Sequence, residues 1–194
     1  HLIVFNKKNV NISNDNTISG VFYNLTIPTG KTYTNGLEIV VRNNFTATGT
    51  YAHNSKTLQF GDTKVGSVTY PNGDDGIITG TESGTPSTLY LGNILIRQGN
   101  KTKTFKSNIS TANITCGDTT TGGSIIFEKN LTVNGTPSLT TKGSYIFNST
   151  ADGTTVNFTN NVSITNAAKV TVGKNFTSLG NITINAPVSL SANT

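Results

Sequence analysis

Sulfur is nearly absent from this chain: there is no methionine and a single cysteine, Cys116. One thiol excludes an internal disulfide. In Ile114-Thr115-Cys116, alternation puts it on the same face as Ile114, which reads as a buried, inert thiol. The missing methionine, including at position 1, reads as a processed or excerpted chain. Charge is also scarce, at 12% of residues, against about a quarter in ordinary globular domains. Polar uncharged side chains must therefore supply solubility. The balance is +5, but the 14 basic residues are dispersed and only Arg42 and Arg97 are arginines. Nucleic-acid grooves concentrate such residues and interleave aromatics, so no nucleic-acid partner is expected. The one local cluster, Lys101, Lys103 and Lys106, reads as a solvated strand edge guarded by lysine. No apolar run approaches the ~20 residues of a membrane helix. Leucine is sparse and no stretch sustains apolar spacing of three and four, so almost no helix is expected.

What fills the chain is Asn, Thr, Ser and Gly around very short apolar strands. Thr suits a strand because its branched side chain packs well on a pleated surface. Leu131, Leu139 and Tyr145 open strands whose first residues lie 8 and then 6 apart. Val162, Val170 and Phe176 repeat those two intervals further along, and Ile182 opens another strand beyond them. Recurrent spacings of this kind point to a repeated supersecondary unit. The motif Asn–apolar–any–apolar starts at Asn9, Asn24, Asn93, Asn130, Asn161 and Asn181. Asn tolerates left-handed backbone and bonds its own main chain, so it makes a corner. The alternating pair behind it turns two side chains inward. The fold class is therefore all-β, a short-strand solenoid of the parallel β-helix type; an antiparallel sandwich of pilin-like type is the alternative, since short strands with Gly/Asn turns suit both. Residues 1–194 read as one all-β unit. Residues 61–92 carry turn residues and read as a surface loop or hairpin, with 72–88 as the place for a boundary if there are two domains.

Two stretches carry a resemblance. Tyr23-Asn24-Leu25-Thr26-Ile27 running into Asn43-Asn44-Phe45-Thr46-Ala47-Thr48-Gly49-Thr50, and Val170 through Ile184, resemble the rung repeats of secreted microbial β-helix surface proteins. That resemblance implies a parallel solenoid on an outer surface, used for adhesion or fibre building. The chain is also similar, more distantly, to the Asn/Thr-rich glycosylated subunits of archaeal surface filaments, which are joined by a donated end strand.

The clearest chemical signal is the N-glycan acceptor triplet Asn-x-Ser/Thr. It occurs at Asn11, Asn24, Asn44, Asn100, Asn108, Asn113, Asn130, Asn134, Asn148, Asn157, Asn161, Asn175 and Asn181, half of the 26 asparagines. The triplet requires a surface position in a secreted protein. The same triplets also arise wherever an Asn corner precedes a Thr-rich strand. Catalytic constellations are missing. His1 and His53 are the only histidines, and nothing beside His53 builds a nucleophile–His–acid set. Asp15, Glu38, Asp62, Asp118, Glu128 and Asp152 are scattered, while Asp74-Asp75 reads as a solvated turn with too few ligands for calcium. No enzyme, cofactor or metal is expected.

The expected function is that of an extracellular structural protein at the cell surface, a filament subunit joined end to end by β-strand addition or donation. Leu2, Ile3, Val4 and Phe5 are the expected polymerisation strand, because both of its faces are apolar. No capping helix is apparent at either end. The expected partners are copies of itself, covalent N-glycans and other surface or host molecules. The alternative is an autotransporter-like adhesin segment that binds host or surface glycans through a loop face around residues 61–88.

Overall fold

The computed structural model describes residues 3–11, 16–61, 63–65, 68–70, 75–81, 88–97, 99–116, 123–140, 143–147, 155–165, 167, 169–173 and 176–190. Among them there is no helix. The early strands are long: β1 (Ile3–Asn11), β2 (Asn16–Ile27) and β3 (Thr32–Val41), then β4 (Phe45–Ala47), β5 (Thr50–Ala52) and β6 (Thr57–Gly61). A detour follows as β7 (Thr63–Val65) and β8 (Val68–Tyr70), and then β9 (Gly76–Gly80), β10 (Leu89–Arg97), β11 (Lys103–Phe105) and β12 (Ile109–Cys116). The rest are short: β13 (Ser124–Phe127), β14 (Leu131–Val133), β15 (Ser138–Thr140), β16 (Ser144–Phe147), β17 (Val156–Phe158), β18 (Val162–Thr165), β19 (Lys169–Val172), β20 (Phe176–Ser178), β21 (Ile182–Asn185) and β22 (Val188–Leu190).

Among the described residues all pairings but that of β7 with β8 are parallel, and they resolve into three walls. The C-terminal half shows this most simply. β14, β17 and β20 stack as the first wall, β15, β18 and β21 as the second, and β16, β19 and β22 as the third. The chain visits the walls in that order and then climbs to the next turn. Earlier strands bend round the corners and serve more than one wall. β2 pairs with β3 through both Asn16–Ile18 and Gly20–Phe22, with a register shift between, and its last residues pair with β4. The molecule is thus a three-walled parallel β-helix. The ladders β3–β6–β10 and β4–β9–β11 run without a break past the detour. The detour itself is a small antiparallel hairpin, β7 on β8, inserted between the second and third walls of one turn.

The turns do not follow the recurrence of strand spacings in the sequence. Leu131 stacks on Val156, and Val156 on Phe176, two steps of unequal length. The strands opened by Leu131, Leu139 and Tyr145 occupy walls one, two and three; those opened by Val162, Val170 and Phe176 occupy walls two, three and one. The repeated spacing is the distance between neighbouring walls, met again one wall out of phase. The step from Val162 to Ile182 is a genuine stacking step.

Alternation builds the interior. In β14, Leu131 and Val133 are buried while Thr132 between them is half-buried, and β11, β13, β16 and β17 repeat that pattern. Parallel register then places like upon like. Phe105 lies on Phe127 and Phe127 on Phe147. Their rings stack at 4.6 Å and 5.6 Å, nearly coplanar at 20° and 3°. Such a column adds about 0.5–1.5 kcal/mol per aromatic pair beyond area burial. Cys116 is buried with Ile114 on the inward face, as the alternation required.

Candidate functional site

The asparagine corners are structural posts. At the corner between walls two and three, Asn24 Oδ1 accepts the main-chain N–H of Asn44 at 2.9 Å, and Asn44 Oδ1 accepts that of Ile77 at 2.9 Å. At the corner between walls three and one, Asn108 Oδ1 accepts from Asn130 N–H at 3.3 Å, and Asn130 Oδ1 from Thr155 N–H at 2.6 Å. At the remaining corner, Asn161 Oδ1 accepts from Asn181 N–H at 2.9 Å. Each bond satisfies a corner amide that the strand ladder leaves over, one turn up. Glycine completes the corner between walls one and two. A Cβ on Gly135 would run into the Ala112 carbonyl and the Asn113 side chain, and one on Gly180 into Asn161.

The acceptor-triplet asparagines therefore fall into groups. Asn24, Asn44, Asn108, Asn130 and Asn161 use their side-chain oxygen between turns. Asn113 and Asn134 donate through Nδ2, to Asn93 Oδ1 and to the Thr111 carbonyl. Asn157 Oδ1 accepts from the Thr177 hydroxyl. Asn100 and Asn181 are exposed. Asn148 and Asn175 lie outside the described residues, and Asn11 lies in β1.

The basic cluster is not a shared solvated edge. Lys106 is exposed, but Lys103 is fully buried and its Nζ donates to the Arg42 carbonyl at 2.8 Å. The reason is parity: β11 turns Phe105 inward, so Lys103 two residues earlier points inward too. Asp75 Oδ1 accepts from Thr102 N–H, and Asp74 lies outside the described residues. His53 stands at a corner, where Nδ1 accepts from Ser55 N–H at 3.1 Å and the ring meets Tyr90 edge to face at 5.0 Å. Among the described residues, no three His, Cys, Asp or Glu side chains come together as metal ligands. Burial pushes the Cys116 thiol up to about 12, and the neighbouring Tyr145 hydroxyl is driven upward by burial and by that thiol. Tyr145 makes no well-formed hydrogen bond there.

Two surface features stand out. The first is the last turn. Among the described residues β20, β21 and β22 pair on one edge only, with β17, β18 and β19. Leu179 is 83%, Ile182 44% and Val188 45% exposed. None of these three strands carries a charged residue. At the opposite end, Ile3–Phe5 and Asn9–Asn11 of β1 pair only with β2 among the described residues. Ile3, Val4 and Phe5 thus lie in the outermost strand of the described stack, while Leu2 lies outside the described residues.

The second is a shallow groove of about 590 Å³ on the outer face of the second wall. Register aligns Thr57, Asn93 and Asn113 in one column, and Leu95 and Thr115 in the next; Thr136 closes the upper end. Every described lining residue is uncharged. Neither feature is visible as a motif. Asn93 reads as a corner residue and Asn113 as a glycan acceptor, and only the pairing of distant turns brings them together. No protein-family model, no curated protein and no solved structure matches this chain.

Proposed function

We propose that this chain is an extracellular structural protein, the subunit of a cell-surface filament whose copies join end to end by β-strand addition. The observation that carries this reading is the last turn. Three parallel strands there have an unpaired edge among the described residues, and apolar side chains are left half in water. Edge strands are ordinarily blunted by charge; this one carries none. The second and third walls end in β21 and β22, and begin in the two halves of β1. A second copy placed head to tail would continue both ladders in the same sense, adding main-chain hydrogen bonds and covering Ile182 and Val188. Such a contact is heterologous, and unless its rotation closes it generates an open fibre. In this form the polymerisation strand Leu2–Phe5 adds to an edge. The acceptor triplets fit an outer-surface setting, with Asn100, Asn134, Asn161 and Asn181 exposed among the described acceptors.

The test is assembly of purified protein, followed by sedimentation and electron microscopy. Removing residues 1–8 is expected to abolish fibres and leave a soluble, less stable subunit. Ile182→Lys, which puts a charge on the other edge, is expected to do the same without truncation. Fibres formed by both variants would overturn the proposal.

A further inference from the structure

We infer that the groove on the second wall binds an extended, uncharged oligosaccharide running along the axis of the β-helix. Such binding is separate from end-to-end assembly, because the groove lies on a side wall and uses none of the terminal strands. Apart from Thr57, its described lining residues lie between Asn93 and Thr136.

Successive turns of a parallel stack are about 4.8 Å apart, comparable to the length of one hexose unit. The column Thr57–Asn93–Asn113 repeats a hydroxyl or amide at that interval, in register. Thr57, Thr115 and Thr136 are exposed and Asn93 and Asn113 half-buried, so the polar atoms are presented rather than spent on the core. Asn113 Nδ2 makes one long bond, 3.4 Å, to Asn93 Oδ1. Among the described residues Asn93 Nδ2 has no partner, so a residue that lines the groove keeps an amide donor in hand. A sugar hydroxyl is both donor and acceptor, and amides and hydroxyls serve it in either role.

The floor supplies the other half of the chemistry. Leu95 points outward beside these columns and is half-buried. A sugar ring has an apolar C–H face that can lie on such a side chain, while its hydroxyls reach the flanking polar column. The absence of charge from the described lining discriminates against uronic, sulfated or sialylated chains, since nothing among these residues would neutralise a carboxylate or sulfate on leaving water. A polypeptide strand is the competing occupant. It would need main-chain donors and acceptors along the groove, but the main chain of β10 is already paired on both sides, with β6 and β12.

The experiment is an amide-resonance titration of the isotope-labelled full chain, at a concentration where sedimentation gives a monomer. The probes are cellohexaose, maltohexaose and mannohexaose, with hexagalacturonate as the anionic control and an uncharged Thr/Val hexapeptide as the peptide control. The expected result is saturable movement of the Asn93, Leu95, Asn113 and Thr115 resonances with at least one neutral hexasaccharide and with neither control. Thr115→Trp, a substitution at an exposed position that fills the groove, should abolish it. Asn93→Ala should weaken it about tenfold, the worth of one hydrogen bond. The otherwise unchanged spectrum of Thr115→Trp reports that the fold is intact. No movement with any neutral probe, equal or tighter binding of either control, or binding that survives Thr115→Trp would each overturn the inference. Saccharide binding by a chain that never polymerises would count against the filament alone.

Discussion

Replacing Phe127 by Ala should cost about 4–5 kcal/mol and should do so locally. Phe127 is 2% exposed and lies between Phe105 and Phe147 in the aromatic column of the third wall. Removal of a buried phenylalanine side chain ordinarily costs about 3–5 kcal/mol. Both faces of this ring are stacked, and each such pair adds about 0.5–1.5 kcal/mol, which places the loss at the upper end. Phe127→Leu keeps most of the apolar volume and forfeits mainly the stacking, so about 1–2 kcal/mol is expected. The location of the loss is the sharper test. In stacked-turn proteins stability is approximately a sum of turn terms and nearest-neighbour terms. Hydrogen exchange should therefore accelerate in β11, β13 and β16, which carry the column, and change far less in β2 and β3. Urea unfolding gives the total, and exchange read by mass spectrometry gives the distribution. A loss below about 1 kcal/mol, or equal deprotection from β2 to β19, would refute the claim that this column holds neighbouring turns together.

Three further outcomes are expected. Asn130→Ala removes the acceptor for the Thr155 N–H, a 2.6 Å bond, and should lower stability by about 1–2 kcal/mol, whereas Asn130→Asp should recover most of it; equal urea midpoints for both variants would count against the corner role. Gly135→Ala drives a Cβ into the Ala112 carbonyl and should destabilise by about 1–3 kcal/mol, visible as a lowered thermal midpoint, with Ser no better than Ala. The Cys116 thiol, raised from 9.0 to about 12 in the fold by burial, favours the native state through its neutral form. That contribution is complete below about pH 9 and is lost as pH rises towards 12, at up to about 1.4 kcal/mol per unit. Tyr33, Tyr51 and Tyr145, all raised by burial, act in the same direction. A urea midpoint that falls between about pH 8 and pH 11, with Cys116 unreactive to thiol reagents until unfolding, is the expected result; a flat profile would contradict it.

Much of the fold is legible in the sequence because its grammar is local. Asn before an alternating apolar pair marks a corner whichever turn it belongs to, and the bonds of Asn24, Asn130 and Asn161 explain why. The phase of the coil is not legible. Three walls of near-equal length share that grammar, so the strands at Leu131 and Val162 look equivalent although they stand in different walls. Turns of unequal length then hide the true period: the step from Leu131 to Val156 is longer than that from Val156 to Phe176. Lys103 looks solvated when it is grouped with Lys101, but its inward parity is fixed by Phe105 on its other side. The groove leaves no trace in the linear sequence. It is made of residues such as Thr57 and Asn113, which meet only through the intervening Asn93.

The hairpin β7–β8 shows what this architecture permits. The chain leaves the second wall at Gly61 and rejoins the third at Gly76, yet the turns below and above still meet. The contour length of the polypeptide is thereby uncoupled from the height of the column. A gene of this design can acquire new surface excursions at its bends, one at a time, without renegotiating the interior.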